Sequence, residues 1–239
     1  MNVLITGGAS GIGAAIVARL AADPDNRVHF TYCASADAAA ALVTANDNVR
    51  AIRCDFRDRA SVNDLVGALD GMSLNALVNN AMPGLQLSHF HKVPLEHFED
   101  SFRETVLPVV AITQRAIALF RKSRQGRIVT VLTSSLINTP PLGLSEYVAN
   151  KAYLASLSKS WAVENAQFGI AANCVSPSMV RTGLLDSFDR EAATRAEEAN
   201  PLRRLLTADE VAGTVEFLLK SSPHINGANV IMNAAHDVV

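Results

Sequence analysis

The strongest constraint on this chain is alternation: short runs of aliphatic and β-branched residues take turns with longer helix-period stretches from one end to the other. Strands are expected at Asn2–Thr6, Arg27–Tyr32, Val49–Cys54, Ala76–Asn80, Arg127–Leu132, Ile170–Val175 and Asn229–Met232. Helices fit between them over Gly11–Ala22, Ala36–Ala45, Ser61–Leu69, Leu95–Arg121, Glu146–Gln167, Glu191–Ala199 and Ala208–Leu219. Parallel strands need long crossovers, and an intervening helix is the usual one. The prediction is an α/β fold, a doubly wound seven-stranded parallel sheet with helices on both faces. Such sheets bind ligands beyond the carboxyl ends of their strands, so function is sought just after Thr6, Tyr32, Cys54, Asn80, Leu132 and Val175. The 239 residues, 49% of them hydrophobic, suffice for one such domain, and no Pro/Gly/Ser-rich linker divides them; residues 1–239 are read as one unit.

Charge and cysteine usage exclude several partner classes. With 21 Lys+Arg against 23 Asp+Glu, the chain lacks the basic excess of a phosphate-backbone binder, and no nucleic-acid partner is expected. No apolar run approaches the roughly 18 residues that span a bilayer, so no membrane is expected. The opening MNVLITGG enters a strand directly, without the charged and apolar regions of an export signal. Cys33, Cys54 and Cys174 are an odd count near apolar runs, which fits reduced thiols and a cytoplasmic location. His89 and His91 lack a third ligand in register, so no metal is expected.

The first strand runs into Thr6-Gly7-Gly8-Ala9-Ser10-Gly11-Ile12-Gly13 and then a helix. Glycines at a strand-to-helix turn let the backbone approach a pyrophosphate, whose charge the free N–H groups and the helix dipole stabilise. The same spacing also serves an ordinary tight turn. About twenty residues further on, an acid would mark a cofactor with a free ribose 2′-hydroxyl. The second strand instead ends Tyr32-Cys33-Ala34-Ser35, with no acid before Asp37. That absence, with the hydroxyls of Ser10 and Ser35, favours NADP(H) over NAD(H), although no Arg or Lys stands there to pair a 2′-phosphate. The third strand ends Cys54-Asp55-Phe56; Asp55 either accepts the adenine amino group or caps the next turn.

Tyr147 and Lys151 stand four apart in a helical pattern, one turn apart on one face. An ammonium beside a phenol stabilises phenolate and draws its pKa down from about 10 toward acid/base use. Ser134, thirteen residues upstream of Tyr147 at the end of the fifth strand, brings a hydroxyl to the same sheet edge.

TGGASGIG near the N-terminus, Asn79-Asn80-Ala81 after the fourth strand, Ser134 followed by Tyr147-x3-Lys151, and Asn173-x3-Pro177-x4-Thr182 together resemble the short-chain dehydrogenase/reductase family, in particular its compact 3-oxoacyl-[acyl-carrier-protein] reductase branch. The resemblance covers essentially the whole chain and implies a Rossmann-like fold. It implies that Gly7, Ser10, Gly11, Ile12 and Gly13 cradle the cofactor, that Ser35, Asp55 and Phe56 face its adenosine end, and that Asn80 and Ala81 line a ribose. Lys151 would bind the nicotinamide ribose and lower the pKa of Tyr147; Thr182, with Pro177 and Val180, would hold the nicotinamide end. Tyr147 would protonate the carbonyl oxygen as hydride reaches carbon, with Ser134 stabilising that oxygen. A homodimer or homotetramer built on the two long helices is implied as well.

The pattern departs from the family in places. Met82 replaces the glycine after Asn-Asn-Ala and is assigned to the substrate pocket. The family's helical asparagine, which orders a proton-relay water, falls on Thr105 in the Glu104-Thr105-Val106-Leu107-Pro108 stretch, where Pro108 is expected to disturb the helix. Counting from Gly126 places the carbonyl-binding hydroxyl on Thr133, and counting back from Tyr147 places it on Ser134. The tail Met232-Asn233-Ala234-Ala235-His236 lacks the family's paired glycines. Residues 178–206 are read as a substrate lid, with Leu184 among its apolar contacts. Arg121-Lys122-Ser123-Arg124 suits either an acidic carrier protein or the helix dipole. The function expected is hydride transfer between NADP(H) and a ketone or secondary alcohol. A non-catalytic dinucleotide-binding sensor is the rival, motivated by Thr105 and Met82; halohydrin-dehalogenase chemistry is disfavoured by Lys151 and the full glycine turn.

Overall fold

A computed structural model describes residues 1–137, 139–181, 190–236 and 238, with side chains undescribed at 190–193. Its elements run β1 (Asn2–Ile5), α1 (Gly11–Ala21), β2 (Arg27–Tyr32), α2 (Ala36–Ala45), β3 (Val49–Arg53), α3 (Arg59–Ala68), β4 (Ala76–Asn79), α4 (Leu95–Ser123), β5 (Gly126–Val131), α5 (Ser145–Asn165), β6 (Ile170–Pro177), β7 (Val180–Arg181), α6 (Arg190–Ala199), β8 (Leu206–Thr207), α7 (Ala208–Lys220) and β9 (Asn229–Met232). Seven of the strands form one parallel sheet in the order β3-β2-β1-β4-β5-β6-β9. The order reverses between β1 and β4, and that switch point opens a crevice at the carboxyl edge of the sheet.

Strand side chains alternate between two apolar layers. In β1, Val3 and Ile5 pack with Ile16, Val17 and Leu20 of α1 and Val211, Val215 and Leu218 of α7. Leu4 points to the other face, against Leu65 of α3, Ile112 and Phe120 of α4 and Leu154 of α5. Neighbouring strands repeat the pattern in register, with Ile5 opposite both Phe30 and Val78. Leu4, Ile5, Phe30, Leu77 and Phe120 are fully buried, and each such side chain contributes ~1.5–3 kcal/mol relative to exposure. Both faces covered by helices explain why the strands read as continuous apolar runs.

Two features bear on the sequence-based expectation. The helix expected over Leu95–Arg121 is continuous: α4 runs through a buried Pro108 for 29 residues. A proline removes its own N–H donor and crowds the carbonyl four residues back, and packing by Val106, Val109 and Ile112 on the same helix outweighs both. The second feature is a short parallel pairing of β7 with β8, Val180 to Leu206 and Arg181 to Thr207, which ties together the two ends of the 178–206 segment. An ion pair from Arg181 to Glu197 links β7 to α6. At the far end Thr207 Oγ1 accepts from the Glu210 N–H (3.2 Å) while Glu210 accepts from the Thr207 N–H (2.9 Å), a reciprocal cap that starts α7 where β8 stops. The rest of the lid expectation, including Thr182 and Leu184, lies outside the described residues. Among the described residues, no helix is long and apolar enough to cross a membrane.

Candidate active site

The glycine turn is held from both neighbouring strands. From β2, Thr31 Oγ1 accepts the Gly7 N–H (3.0 Å) and Thr31 O accepts the Gly8 N–H (2.8 Å). From the β4 side, the Asn80 amide donates to Thr6 O and Gly7 O (3.0 and 3.1 Å), while Thr6 Oγ1 accepts the N–H groups of Asn80 and Ala81 (both 2.9 Å). Gly7 and Gly11 have φ of +67° and +52°, which side chains rarely tolerate. A Cβ on Gly13 would sit 2.0 Å from Gly7 O, so α1 approaches the turn only because residue 13 has no side chain. The result is a cleft of about 420 Å³ that includes Gly7, Ser10, Gly11, Ile12 and Gly13 on one wall and Asn80, Ala81 and Met82 on another. A cleft walled by the backbone of the glycine turn and facing the start of α1 fits the diphosphate of a dinucleotide.

The same cleft is also lined by Cys33, Ser35, Asp55, Phe56 and Arg57. Asp55 behaves as the turn-capping alternative describes: its Oδ1 accepts the Arg57 backbone N–H (3.0 Å). The Arg57 side chain adds a two-pronged bond, Nε to Oδ1 at 3.0 Å and Nη2 to Oδ2 at 2.9 Å. That guanidinium holds the Asp55 carboxyl at about 2, well below the usual carboxylate range. Arg57 was missed in the sequence, because the search for a cation looked only at the end of the second strand.

Beside the cleft, the segments leaving the paired strands β4 and β5 carry Asn80–Met82 and Thr133–Ser134 out at the same edge. Tyr147 and Lys151 face that edge from α5. Lys151 is 5% exposed, and its Nζ donates to Val131 O (2.7 Å) and lies 5.9 Å from the centre of the Tyr147 ring. Burial drives the ammonium down to about 8, opposed by the Cys174 thiol next to it. Burial in turn pushes the Cys174 thiol up to about 11. Burial also pushes the Tyr147 phenol up, opposed by hydrogen bonding to the Thr133 side chain. The expected lowering of the phenol by the lysine is therefore reversed in the free protein: desolvation dominates, and the ammonium is committed to Val131 O.

The Thr133 side chain, at the residue reached by counting from Gly126, is the one whose hydrogen bonding counters the rise of the Tyr147 phenol. Thr133 Oγ1 also accepts the Ser135 N–H (3.2 Å), which orients it. Ser134 is buried one position further, at the start of a short 3₁₀ turn. Thr105 is buried in α4 and makes no side-chain hydrogen bond among the described residues. Pro177 ends β6 and Val180, in β7, is buried. His89 and His91 stack at 6.0 Å, and among the described residues no group of three potential ligands could hold a metal. Of the basic run at the end of α4, Arg121 and Arg124 both lie over the Phe168 ring (4.5 and 5.7 Å), and Arg121 Nε donates to Asn165 Oδ1 (2.7 Å). These two arginines fasten α4 to the end of α5.

Residues 7–234 match a family model described as enoyl-(acyl carrier protein) reductase. The chain belongs to the short-chain dehydrogenase/reductase family. It is 31% identical to the 3-oxoacyl-[acyl-carrier-protein] reductase MabA of Mycobacterium avium, over 95% of this chain and 86% of that protein. A short-chain dehydrogenase from Burkholderia cenocepacia J2315, solved in complex with NADP, superposes with a TM-score of 0.86 at 29% identity, covering 99% of this chain and 98% of that one. The 3-ketoacyl-(acyl-carrier-protein) reductase from Brucella melitensis, complexed with NADH, gives 0.88 at 25% identity over the same shares. As a member, the chain is an NAD(P)-dependent oxidoreductase acting on a small-molecule substrate.

Proposed function

We propose that this enzyme reduces the carbonyl of a ketone, and runs the reverse oxidation of a secondary alcohol, with NADP(H) as the preferred cofactor. The observation that carries the reading is a buried lysine, Lys151, whose Nζ lies 5.9 Å from the centre of the Tyr147 ring and is held by Val131 O at the sheet edge that carries the glycine cleft. The cofactor supplies the hydride. Gly7, Ser10, Gly11, Ile12 and Gly13 hold its diphosphate, and Asn80 and Ala81 border a ribose. Thr133 donates its hydroxyl proton in a hydrogen bond to the carbonyl oxygen and so polarises it. Tyr147 keeps its proton at neutral pH, because burial raises its pKa, and delivers it to that oxygen as carbon accepts the hydride pair. The buried Lys151 ammonium then sits by a half-buried phenolate, which it stabilises.

Met82 lines the cleft where the family keeps a glycine and narrows the substrate end. An acyl ketone, the substrate class named for the M. avium relative, is the first compound to try. The whole chain is taken as one domain in the cytoplasm, with reduced Cys33, Cys54 and Cys174. Leu107 of α4 and Tyr153 and Val163 of α5 stand 48%, 47% and 80% exposed on the two long helices, which supports their pairing with copies in a dimer or tetramer.

The test is to titrate the protein with NADPH and then follow cofactor absorbance with a ketone panel, for wild type and Y147F. The variant is expected to bind NADPH as wild type does and to lose turnover by ~10²- to 10⁴-fold. Turnover that survives in Y147F overturns the assignment; binding without turnover in wild type across the panel favours the sensor reading.

A further inference from the structure

The cation that a 2′-phosphate requires is absent from the end of β2, yet the fold delivers one from another element. Arg57, in the turn between β3 and α3, curls back until its Nη2 stands 3.7 Å from Cys33 Sγ, a residue 24 positions earlier at the end of β2. That is the place where an acidic residue reads the ribose 2′-hydroxyl in NAD-binding sheets. Resting on the reading of the cleft as a dinucleotide site, we infer that Arg57 reads the 2′-phosphate of NADP(H), held in position by Asp55 and assisted by the Ser10 and Ser35 hydroxyls.

Three observations converge. First, the guanidinium is preorganised: Nε and Nη2 are spent on the two oxygens of Asp55, which fixes the plane of the fork at the cleft wall. Second, its remaining nitrogen, Nη1, has no protein partner among the described residues, so two N–H donors face outward from a 60% exposed side chain. An exposed arginine locked by one carboxylate loses little further freedom when it takes an anion, and its planar donors match phosphate oxygens. Third, Ser10 and Ser35 stand at the N-cap positions of α1 and α2, where a serine ordinarily caps its helix, and neither makes a side-chain cap bond. Both line the cleft with Arg57. Two uncommitted hydroxyls and one uncommitted guanidinium edge form an anion cradle around the ribose position. Asp55 acts as a positioning residue; its charge is already neutralised by the arginine it holds.

The test measures affinities of NADPH and NADH, and of adenosine 2′,5′-bisphosphate and AMP as probes of the adenosine end, for wild type, R57Q, R57K and D55N/R57Q. Wild type is expected to prefer NADPH over NADH, and the bisphosphate over AMP. R57Q should weaken NADPH and the bisphosphate ~10- to 100-fold while moving NADH and AMP by less than about threefold. R57K keeps the charge without the fork and should fall between. D55N/R57Q removes both charges together and should still lack the preference, separating loss of the arginine from exposure of a repelling Asp55. Equal weakening of both cofactors in R57Q, or no discrimination in wild type, overturns the role of Arg57. Failure of wild type to bind either nucleotide instead overturns the dinucleotide reading itself.

Discussion

Replacing Lys151 with methionine should make the cofactor-free protein more stable. The ammonium is 5% exposed, its one hydrogen bond is to Val131 O, and no carboxylate pairs it among the described residues. Burial drives its pKa from 10.5 to about 8. A depression of that size corresponds to ~3 kcal/mol held against the folded state at neutral pH. The bond to Val131 O, lost in K151M, offsets ~1 kcal/mol, while the methionine stem fills most of the same volume. The net gain expected at pH 7 is ~2 kcal/mol. Its pH dependence is diagnostic. Below about 8 both folded and unfolded chains carry the proton and the whole penalty applies. From about 8 to 10.5 the unfolded chain binds a proton that the folded chain does not, so wild-type stability rises with pH. The advantage of K151M should therefore shrink steadily over that interval. Urea unfolding of both proteins at several pH values between 7 and 10.5 measures it, and taking the difference cancels most of the contribution of Tyr147. A variant less stable than wild type at pH 7, or an advantage that does not change with pH, refutes the account of an uncompensated buried cation.

T133V should lower the turnover number by ~10²- to 10³-fold with cofactor affinity intact, whereas S134A should stay within about twofold, because the Thr133 side chain is the one that acts on the Tyr147 phenol. Steady-state kinetics decides between them, and the reverse ranking would return the role to Ser134. Ala234 and Ala235 sit at φ of +55° and +57°, where a β-carbon costs ~1–2 kcal/mol per residue. Replacing both with glycine should raise Tm by a few degrees despite the greater freedom of glycine in the unfolded chain, as read by calorimetry; a fall in Tm would show that the turn accommodates the side chains.

The parallel sheet and the glycine turn were legible because each rests on local pattern: short apolar runs, helix-length crossovers, and glycines that alone tolerate the backbone of the turn. Strand ends shifted by a residue or two, as at Ile170–Pro177, where pairing with β9 extends β6 past Val175. The helix expected over Leu95–Arg121 runs through Pro108 because Phe120, Ile112 and Val109 hold α4 in the core.

What could not be read was which atoms meet across elements. The serine ambiguity arose from one residue of slack between β5 and α5, and no count resolves it; the effect of the Thr133 side chain on the Tyr147 phenol favours Thr133. Lysine beside tyrosine suggested a lowered phenol, but the sign depends on desolvation, which raises the phenol and is set by the tertiary fold. Arg57 is the same kind of case. Its spacing from Asp55 reads as a solvated turn pair, and only the pairing of β2 with β3, which sets Tyr32 opposite Arg53, brings the following turn against Cys33. In a parallel sheet the residues after neighbouring strands are adjacent in space however far apart they lie in sequence. A charge needed after one strand can therefore be supplied after the next, and the position after β2 is free to remain a small, uncharged cysteine.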